Sequence, residues 1–179
     1  MRPLTLDDLL PLDEYATRRV EFADNHRQYC ERYRRVHIGP RATLTFQNRQ
    51  TLWFRVQEML RVMCLSDPDL VRRELDVCNR LLPRRDHLLA GLSSPDPGSL
   101  SLRLGDSFVP AQLVPCTPED RALGVATWIG FTLAGADRSR FIDPEVPASI
   151  ELQGFSALLP EDVRQSLNDD LTMSAREAA

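Results

Sequence analysis

The segment over residues 34–61 constrains the fold more than any other part of the sequence, because its structural period changes within a few residues. Its first part contains two runs of β-branched and aromatic residues, over 35–38 and 43–46. Gly39 and Pro40 separate these runs, and a Gly-Pro pair is a turn signal. The pattern therefore predicts a β-hairpin.

A helical period follows the hairpin directly. Gln47, Asn48 and Arg49 form a polar corner, and beyond it apolar residues recur at the spacing of one helix face. These residues are Leu52, Val56, Met59, Leu60 and Met63. The spacing predicts a helix over 50–63. Similar reasoning predicts a charged helix over 13–33 and a helix that is capped by Ser66 and ends near residue 82.

The second half of the chain favours strands. Runs over 87–92, 100–104, 107–114, 126–133 and 148–152 are rich in apolar and β-branched residues. Residues 161–171 predict a closing helix, and 173–179 predict a frayed tail. We therefore expect one α+β domain over 1–179. In it, a helix-rich part with a β-hairpin (1–86) packs on a strand-rich, mainly antiparallel part (87–172).

The charged residues limit the available chemistry. All 22 basic residues are arginine, so a lysine Schiff base and a P-loop lysine are excluded. The formal net charge is −4 and the pI is about 5.4. This balance argues against nucleic acid as the partner. Four arginines near Tyr29 and Tyr33 nevertheless form a pattern that suits phosphate contacts and base stacking, and they are Arg32, Arg34, Arg35 and Arg41.

The compartment is predicted from two further features. The acidic N-terminus and the lack of an apolar run of membrane length predict a cytoplasmic protein without a membrane segment. The four cysteines are widely spaced, which favours reduced thiols over a disulfide framework.

A metal site is one candidate for function. His26 and Cys30 are four residues apart on one predicted helix face, and His37 follows on the next strand. Zinc or iron accepts such ligands, with Glu21 or Cys116 to complete the set. No fixed-spacing zinc motif is present, so the residues alone predict no cofactor. The alternative is a surface histidine, a half-buried cysteine and a histidine at a strand edge.

The polar corner is a second candidate. Asn48, Arg49 and Gln50 enter a helix whose first N–H groups can hold an anion, with Arg49 as a fork. Together with Arg34, Arg35 and Arg41, they also form a basic surface that suits an acidic protein partner. The alternative is structural: Asn48 caps the helix and Arg49 pairs with a carboxylate such as Glu58 or Glu14.

Several segments occur in the order found in one bacterial family. They are LDDLLPLDEY, RRVHIGP, TLTFQNRQTLWFRVQEMLR, RELDVCNRLLP and the closing LPEDVRQSLNDDL. With these segments the chain resembles domain-of-unknown-function family 3501. The resemblance implies an α+β bacterial protein encoded beside rubrerythrin-like and iron–sulfur oxidoreductases. It implies no catalytic residues.

Three functions remain open at this point. The first is a non-enzymatic accessory protein of a redox or oxidative-stress system that binds a partner, such as an iron–sulfur or rubrerythrin-like oxidoreductase. The second is a metal-dependent enzyme with a His/Cys site. The third is a module that binds an anion or a small molecule. The sequence contains no GxSxG, GxGxxG or Walker pattern that would support hydrolase or nucleotide chemistry.

Overall fold

A computed structural model describes residues 1–94, 98–114 and 127–176 of the 179-residue chain. A 3-10 turn at Leu6–Asp8 precedes five helices within this part of the chain. The helices are α1 (Leu12–Tyr33), α2 (Arg49–Met63), α3 (Pro68–Asn79), α4 (Ala136–Ile142) and α5 (Glu161–Arg176). None of these helices combines the length and apolar character needed to cross a bilayer.

The described strands form two antiparallel sheets. The first sheet has the order β1-β2-β3-β7-β6, from Arg35–Ile38, Ala42–Phe46, His87–Ser93, Thr127–Thr132 and Gln112–Val114. The second has the order β5-β4-β8-β9, from Ser107–Pro110, Leu100–Leu104, Ala148–Leu152 and Phe155–Leu158. The predicted α+β class, with a hairpin, antiparallel sheet and closing helix, is confirmed.

The first sheet lies between two hydrophobic cores. One face carries Val36, Leu44 and Leu88, which pack with the second sheet and with α5. The opposite face carries Leu89 and Trp128, which pack with α2 and α3. This division follows from the two-residue period of a strand, which sends successive side chains to opposite faces. The layers are therefore helices, sheet, and a second sheet with α5.

Most predicted element positions are confirmed, and the exceptions have local causes. The strand predicted over 107–114 is two strands, β5 and β6, which belong to different sheets. Strand β5 ends at Pro110, and the N–H of Ala111 still bonds to Leu100 O before the chain enters β6 in the other sheet. The cap of α3 is Asp67, whose side chain accepts from Asp69 N, and not Ser66. Strand β9 and helix α4 were not predicted.

The ends of two helices also differ from expectation. Helix α3 ends at Asn79 instead of continuing to residue 82. Helix α5 continues to Arg176, within the segment predicted to fray, while residues 177–179 lie outside the described part. The predicted loop over 93–99 begins after β3 ends at Ser93, and its residues 95–97 are also outside the description.

Candidate functional site

A row of residues crosses the helix-facing side of the first sheet and forms the floor of a pocket. The register places Arg35 of β1 opposite Thr45 of β2, Thr45 opposite Gly91 of β3, and Gly91 opposite Trp128 of β7. Directly opposed residues of antiparallel strands point to the same face. Gly91 has no side chain, so it contributes only backbone to this row.

The two N-terminal helices form the walls above this floor, and the pocket has a volume of about 380 Å³. Helix α1 contributes His26, while Thr51, Phe54, Arg55 and Glu58 come from α2. Gln47, Leu92 and Ser93 complete the lining. We call this cavity the sheet-face pocket. It is built from two helices and four strands that span residues 12–132, so it exists only in the folded chain.

The negative charge of Glu58 is compensated by groups beside the sheet-face pocket. Arg19 donates two hydrogen bonds of 2.9 Å to its carboxylate, Arg61 donates two of 3.0 and 3.2 Å, and Tyr15 donates one of 2.9 Å. Burial alone would raise the pKa of Glu58, but these hydrogen bonds outweigh it and lower the pKa to about 2. Glu58 is therefore ionised, and its charge is more than balanced by two guanidinium groups.

Two arginines, Arg35 and Arg55, lie on the lining of the pocket. The guanidinium of Arg55 lies over the ring of Trp128, with Cζ 5.1 Å from the centroid. The guanidinium of Arg35 bonds to Glu31 outside the pocket and lies 3.5 Å from Thr45 Oγ1 within it. Guanidinium forks suit carboxylates and phosphates. The lining therefore contains two groups of the type that bind anions.

Aromatic rings line both the wall and the floor. His26 stacks on Phe54 with ring centroids 4.0 Å apart and planes 13° apart. Trp128 is only 1% exposed, and its indole Nε1 has no hydrogen-bond partner among the described residues. A buried N–H donor without a partner is costly, and native structures rarely keep one. Trp128 is therefore mainly a core residue of the helix-facing side of the sheet, and it forms part of the pocket floor.

The structure brings together two of the three predicted metal ligands. Cys30 Sγ lies 3.4 Å from His26 Nε2. Burial raises the pKa of the Cys30 thiol to about 11, and burial together with the charge of Arg35 lowers the pKa of His26 to about 4. The pair therefore consists of a neutral thiol and a neutral imidazole at neutral pH.

His37 has different neighbours. Its Nε2 lies 2.8 Å from Glu31 and its Nδ1 lies 3.3 Å from Thr43. Glu21 pairs with Arg18, and Cys116 lies outside the described residues. Over 1–94, 98–114 and 127–176, no group of three or more His, Cys, Asp or Glu side chains is arranged to hold a metal ion. The His26, Cys30 and His37 metal site stays a prediction.

The polar corner forms a helix cap at Asn48, which is the structural alternative to an anion site. Asn48 Oδ1 accepts from Thr51 N at 3.0 Å, and Thr51 Oγ1 accepts from Asn48 N at 2.9 Å. Arg49 pairs with Asp8 at 2.6 Å, so the suggested partners Glu58 and Glu14 are wrong. The pKa of Asp8, which burial alone would raise, is held well below its usual range by bonds from Arg49 and others.

Arg34 is almost fully buried. It forms an ion pair with Asp170 of α5, and it also donates hydrogen bonds of 2.7 and 2.9 Å to the hydroxyl of Tyr29. A second pocket of about 610 Å³, which we call the corner pocket, is lined by Arg34, Asn48, Arg49 and Gln50 together with Asp8, Asp169 and Asp170. The carboxylates balance its arginines, so the corner pocket is less suited to an anion than the sheet-face pocket.

The six residues predicted to bind an anion or partner therefore separate in space. Four line the corner pocket, Arg35 lines the sheet-face pocket, and Arg41 lines a third pocket beside Phe155. Sequence reasoning missed Phe54, Arg55, Gly91 and Trp128. Gly91 was the available signal, because a glycine inside a strand marks a place where another group approaches the backbone closely.

Known proteins resemble this chain without giving it an activity. A family model described as "Protein of unknown function (DUF3501)" matches residues 3–95, just over half of the chain. The match covers the pocket residues of α1, α2 and β1–β3 but not Trp128. A crystal structure of a novel protein of unknown function from Burkholderia pseudomallei K96243 is similar, at 25% identity and a TM-score of 0.80. The similarity covers 94% of this chain and 99% of that one. No curated protein matches the chain.

Proposed function

We propose that this chain, which belongs to the DUF3501 family, is a non-enzymatic binding protein that holds a small organic anion in the sheet-face pocket. One observation carries the proposal: the guanidinium groups of Arg35 and Arg55 line one pocket together with the aromatic side chains of Phe54 and Trp128. A carboxylate or phosphate of the ligand accepts hydrogen bonds from these guanidinium groups, whose fork geometry suits such anions.

The titration of the lining groups supports binding over acid–base catalysis. A general acid or base works best when its pKa lies near the working pH. The pKa of His26 is lowered to about 4 and that of Glu58 to about 2, so neither group exchanges protons readily at neutral pH. The neighbouring Cys30 thiol, with its pKa raised to about 11, is a poor nucleophile.

The test is ligand-induced thermal stabilisation. Purified protein is heated with single small carboxylates, phosphates or sulfate at matched ionic strength, and the change in Tm is recorded. At a ligand concentration about 100-fold above Kd, we expect roughly 2.7 kcal/mol of stabilisation, or a rise of roughly 5–10 °C. Arg55→Gln should remove most of this rise.

Arg72→Gln is the matched control. Arg72 is also a helical arginine, but it is exposed on α3, where it pairs with Asp69 at 2.6 Å. This variant should keep the full ligand response. The proposal fails if no anion in the panel raises Tm, or if Arg55→Gln responds to the ligand as strongly as the original protein does.

The accessory role in a redox or oxidative-stress system is a second proposal, supported by the family resemblance. Arg34 forms an ion pair with Asp170, and Arg49 forms one with Asp8. Their positive charges are therefore partly compensated, and the surface attracts an acidic partner less strongly than the sequence suggested. Mild affinity purification from the native host tests the role. Reproducible recovery of an iron–sulfur or rubrerythrin-like protein would support it, and recovery of no partner would refute it.

The metal-dependent enzyme remains the third proposal. Its support is the contact between His26 and Cys30. Elemental mass spectrometry of protein purified without chelators or oxygen tests it. Iron or zinc near one equivalent, lost in His26→Ala, would favour the enzyme over the binding protein, whereas metal-free protein would eliminate it.

A further inference from the structure

We infer that the arginines around the connection between α3 and β3 form a contact surface for an acidic segment of a partner protein. This surface is separate from the sheet-face pocket. It rests on the accessory role proposed above and gives that role a place of contact. Four arginines form the surface, which we call the basic patch: Arg80, Arg84, Arg85 and Arg138.

The arginines of the basic patch differ from many others in the chain because no carboxylate compensates them. Elsewhere, guanidinium groups pair with nearby acids, as Arg32 does with Asp162 and Arg72 with Asp69. Within residues 1–94, 98–114 and 127–176, the four arginines of the patch form no ion pair. Positive charge is therefore concentrated here, although the whole chain has a formal net charge of −4.

Two acidic residues lie close to the patch along the chain. Asp76 is four residues before Arg80 on α3, and Asp86 follows Arg85 on the exposed turn. Neither residue forms an ion pair in the described part of the chain. Since four guanidinium groups face two carboxylates, the balance of the patch stays positive.

The backbone under the patch is held in place. Leu81 and Leu82 are buried in the helical core at 6% and 5% exposure, and they fix the connection after α3. Arg84 and His87 exchange two backbone hydrogen bonds of 2.9 and 3.2 Å. A surface that is already ordered loses little conformational freedom when a partner binds.

Helix α4 joins the patch from the other side. The Nη1 group of Arg138 donates a hydrogen bond of 2.6 Å to the backbone oxygen of Arg85. This bond places the guanidinium of Arg138 beside the turn that carries Arg84 and Arg85. Arginines from two separate parts of the sequence therefore meet on one surface.

The neighbouring residues favour a protein over a nucleic acid as the partner. Ile142 lies four residues after Arg138 on the same side of α4, and it is 43% exposed. Guanidinium groups beside exposed apolar side chains are typical of protein interfaces. The net charge of −4 also repels a long chain of phosphates. A segment with carboxylates and an apolar side chain fits this combination.

The first experiment measures peptide binding by fluorescence anisotropy at low ionic strength. One labelled peptide is an oligoglutamate, and the second has the same number of glutamates with leucines between them. Both should bind, and the leucines should tighten binding roughly 3- to 10-fold. Ile142→Ser should remove this gain and leave the oligoglutamate unaffected. An oligothymidylate of equal charge should bind more weakly than the leucine-containing peptide.

The second experiment locates the contact. The double variant Arg84→Gln with Arg85→Gln should weaken both peptides roughly 3- to 30-fold, because each exposed ion pair contributes little alone. Arg18→Gln with Arg27→Gln is the matched control. It changes the net charge equally at two exposed arginines of α1, and it should change binding less than about 2-fold. Arg138→Gln is a further variant on α4 and should also weaken both peptides.

The outcomes separate the surface from the role on which it rests. If neither peptide binds, or if the control pair weakens binding as much as Arg84→Gln with Arg85→Gln, the basic patch is not the contact surface. Tighter binding of the oligothymidylate than of either peptide would mean that the class of partner is wrong. If a partner is recovered from the native host equally well with the Arg84→Gln and Arg85→Gln variant, the accessory role stands and the surface is refuted.

Discussion

The ion pair between Arg34 and Asp170 joins the C-terminal end of α1 to α5 with almost no access to solvent. The two side chains are 3% and 6% exposed. Replacing Asp170 by asparagine keeps the shape of the side chain and removes its charge. The guanidinium of Arg34 then stays charged and buried with only the hydroxyl of Tyr29 as a strong acceptor. We expect this variant to be strongly destabilised.

The magnitude follows from the burial. Removing one partner of a buried ion pair costs about 3–5 kcal/mol, because the remaining charge is left without compensation. Since Arg34 keeps two hydrogen bonds to Tyr29, we expect a loss of about 3 kcal/mol in the free energy of unfolding for Asp170→Asn. A domain of this size has a total of about 5–15 kcal/mol, so the loss is a large share.

The chain offers a matched control that joins the same two helices. Arg32 of α1 and Asp162 of α5 form an ion pair of 2.9 Å, but their side chains are 65% and 53% exposed. Exposed pairs contribute about 0–1 kcal/mol. Asp162→Asn should therefore cost less than about 1 kcal/mol.

Urea unfolding followed by circular dichroism measures both changes. The double variant Arg34→Met with Asp170→Leu removes both buried charges and should recover most of the stability lost in Asp170→Asn. The reasoning is refuted if Asp170→Asn and Asp162→Asn differ by less than about 0.5 kcal/mol, because burial would then not decide the value of the pair.

Three further predictions concern the pH response, a helix cap and the helical core. The folded-state pKa of His26 is about 4, below its ordinary 6.5, so the fold favours the neutral imidazole. Its contribution to the free energy of unfolding is therefore full above pH 6.5 and is lost as the pH falls towards 4. Urea titrations at several pH values should show that His26→Asn removes up to about 2 kcal/mol of this loss, and an unchanged pH profile would contradict the assignment. Asn48→Ala should cost about 2 kcal/mol in thermal unfolding, because it removes a buried helix cap and a hydrogen bond to Tyr29. The control Asp67→Ala, which removes an exposed helix cap, should cost about 0.5–1 kcal/mol. Equal losses would argue against a role for burial. Leu52 is fully buried, and Leu52→Ala should cost about 2–5 kcal/mol in urea unfolding. The control Val62→Ala, at a residue that is 60% exposed, should cost less than about 0.5 kcal/mol. A small loss at Leu52 would mean that α2 does not rely on this core.

Local sequence signals were sufficient for the hairpin and the principal helices. The Gly39-Pro40 pair and the flanking runs gave strands β1 and β2 within one residue, because turn chemistry and the two-residue period act over neighbouring residues. The helical period of α2 and the cap at Asn48 are equally local. The two faces of the first sheet also follow from alternation alone.

Contacts between distant residues could not be read in the same way. The division of 107–114 between two sheets depends on which strand lies beside each part, and the partner of Arg49 depends on where the N-terminal turn packs. A short apolar run is compatible with several neighbours, since its own residues do not encode the register of another strand.

The sequence by itself determined the α+β class, the lack of lysine chemistry, the hairpin and the polar corner of this protein. Only the tertiary structure decided which polar residues are paired with other residues inside the fold and which line a cavity. Arg34 was a candidate for binding and is buried against Asp170, while Trp128 drew no attention and forms part of the pocket floor. The physical reason is that burial, charge compensation and a missing hydrogen-bond partner are properties of the surroundings of a side chain, and strands and helices from the whole chain create those surroundings.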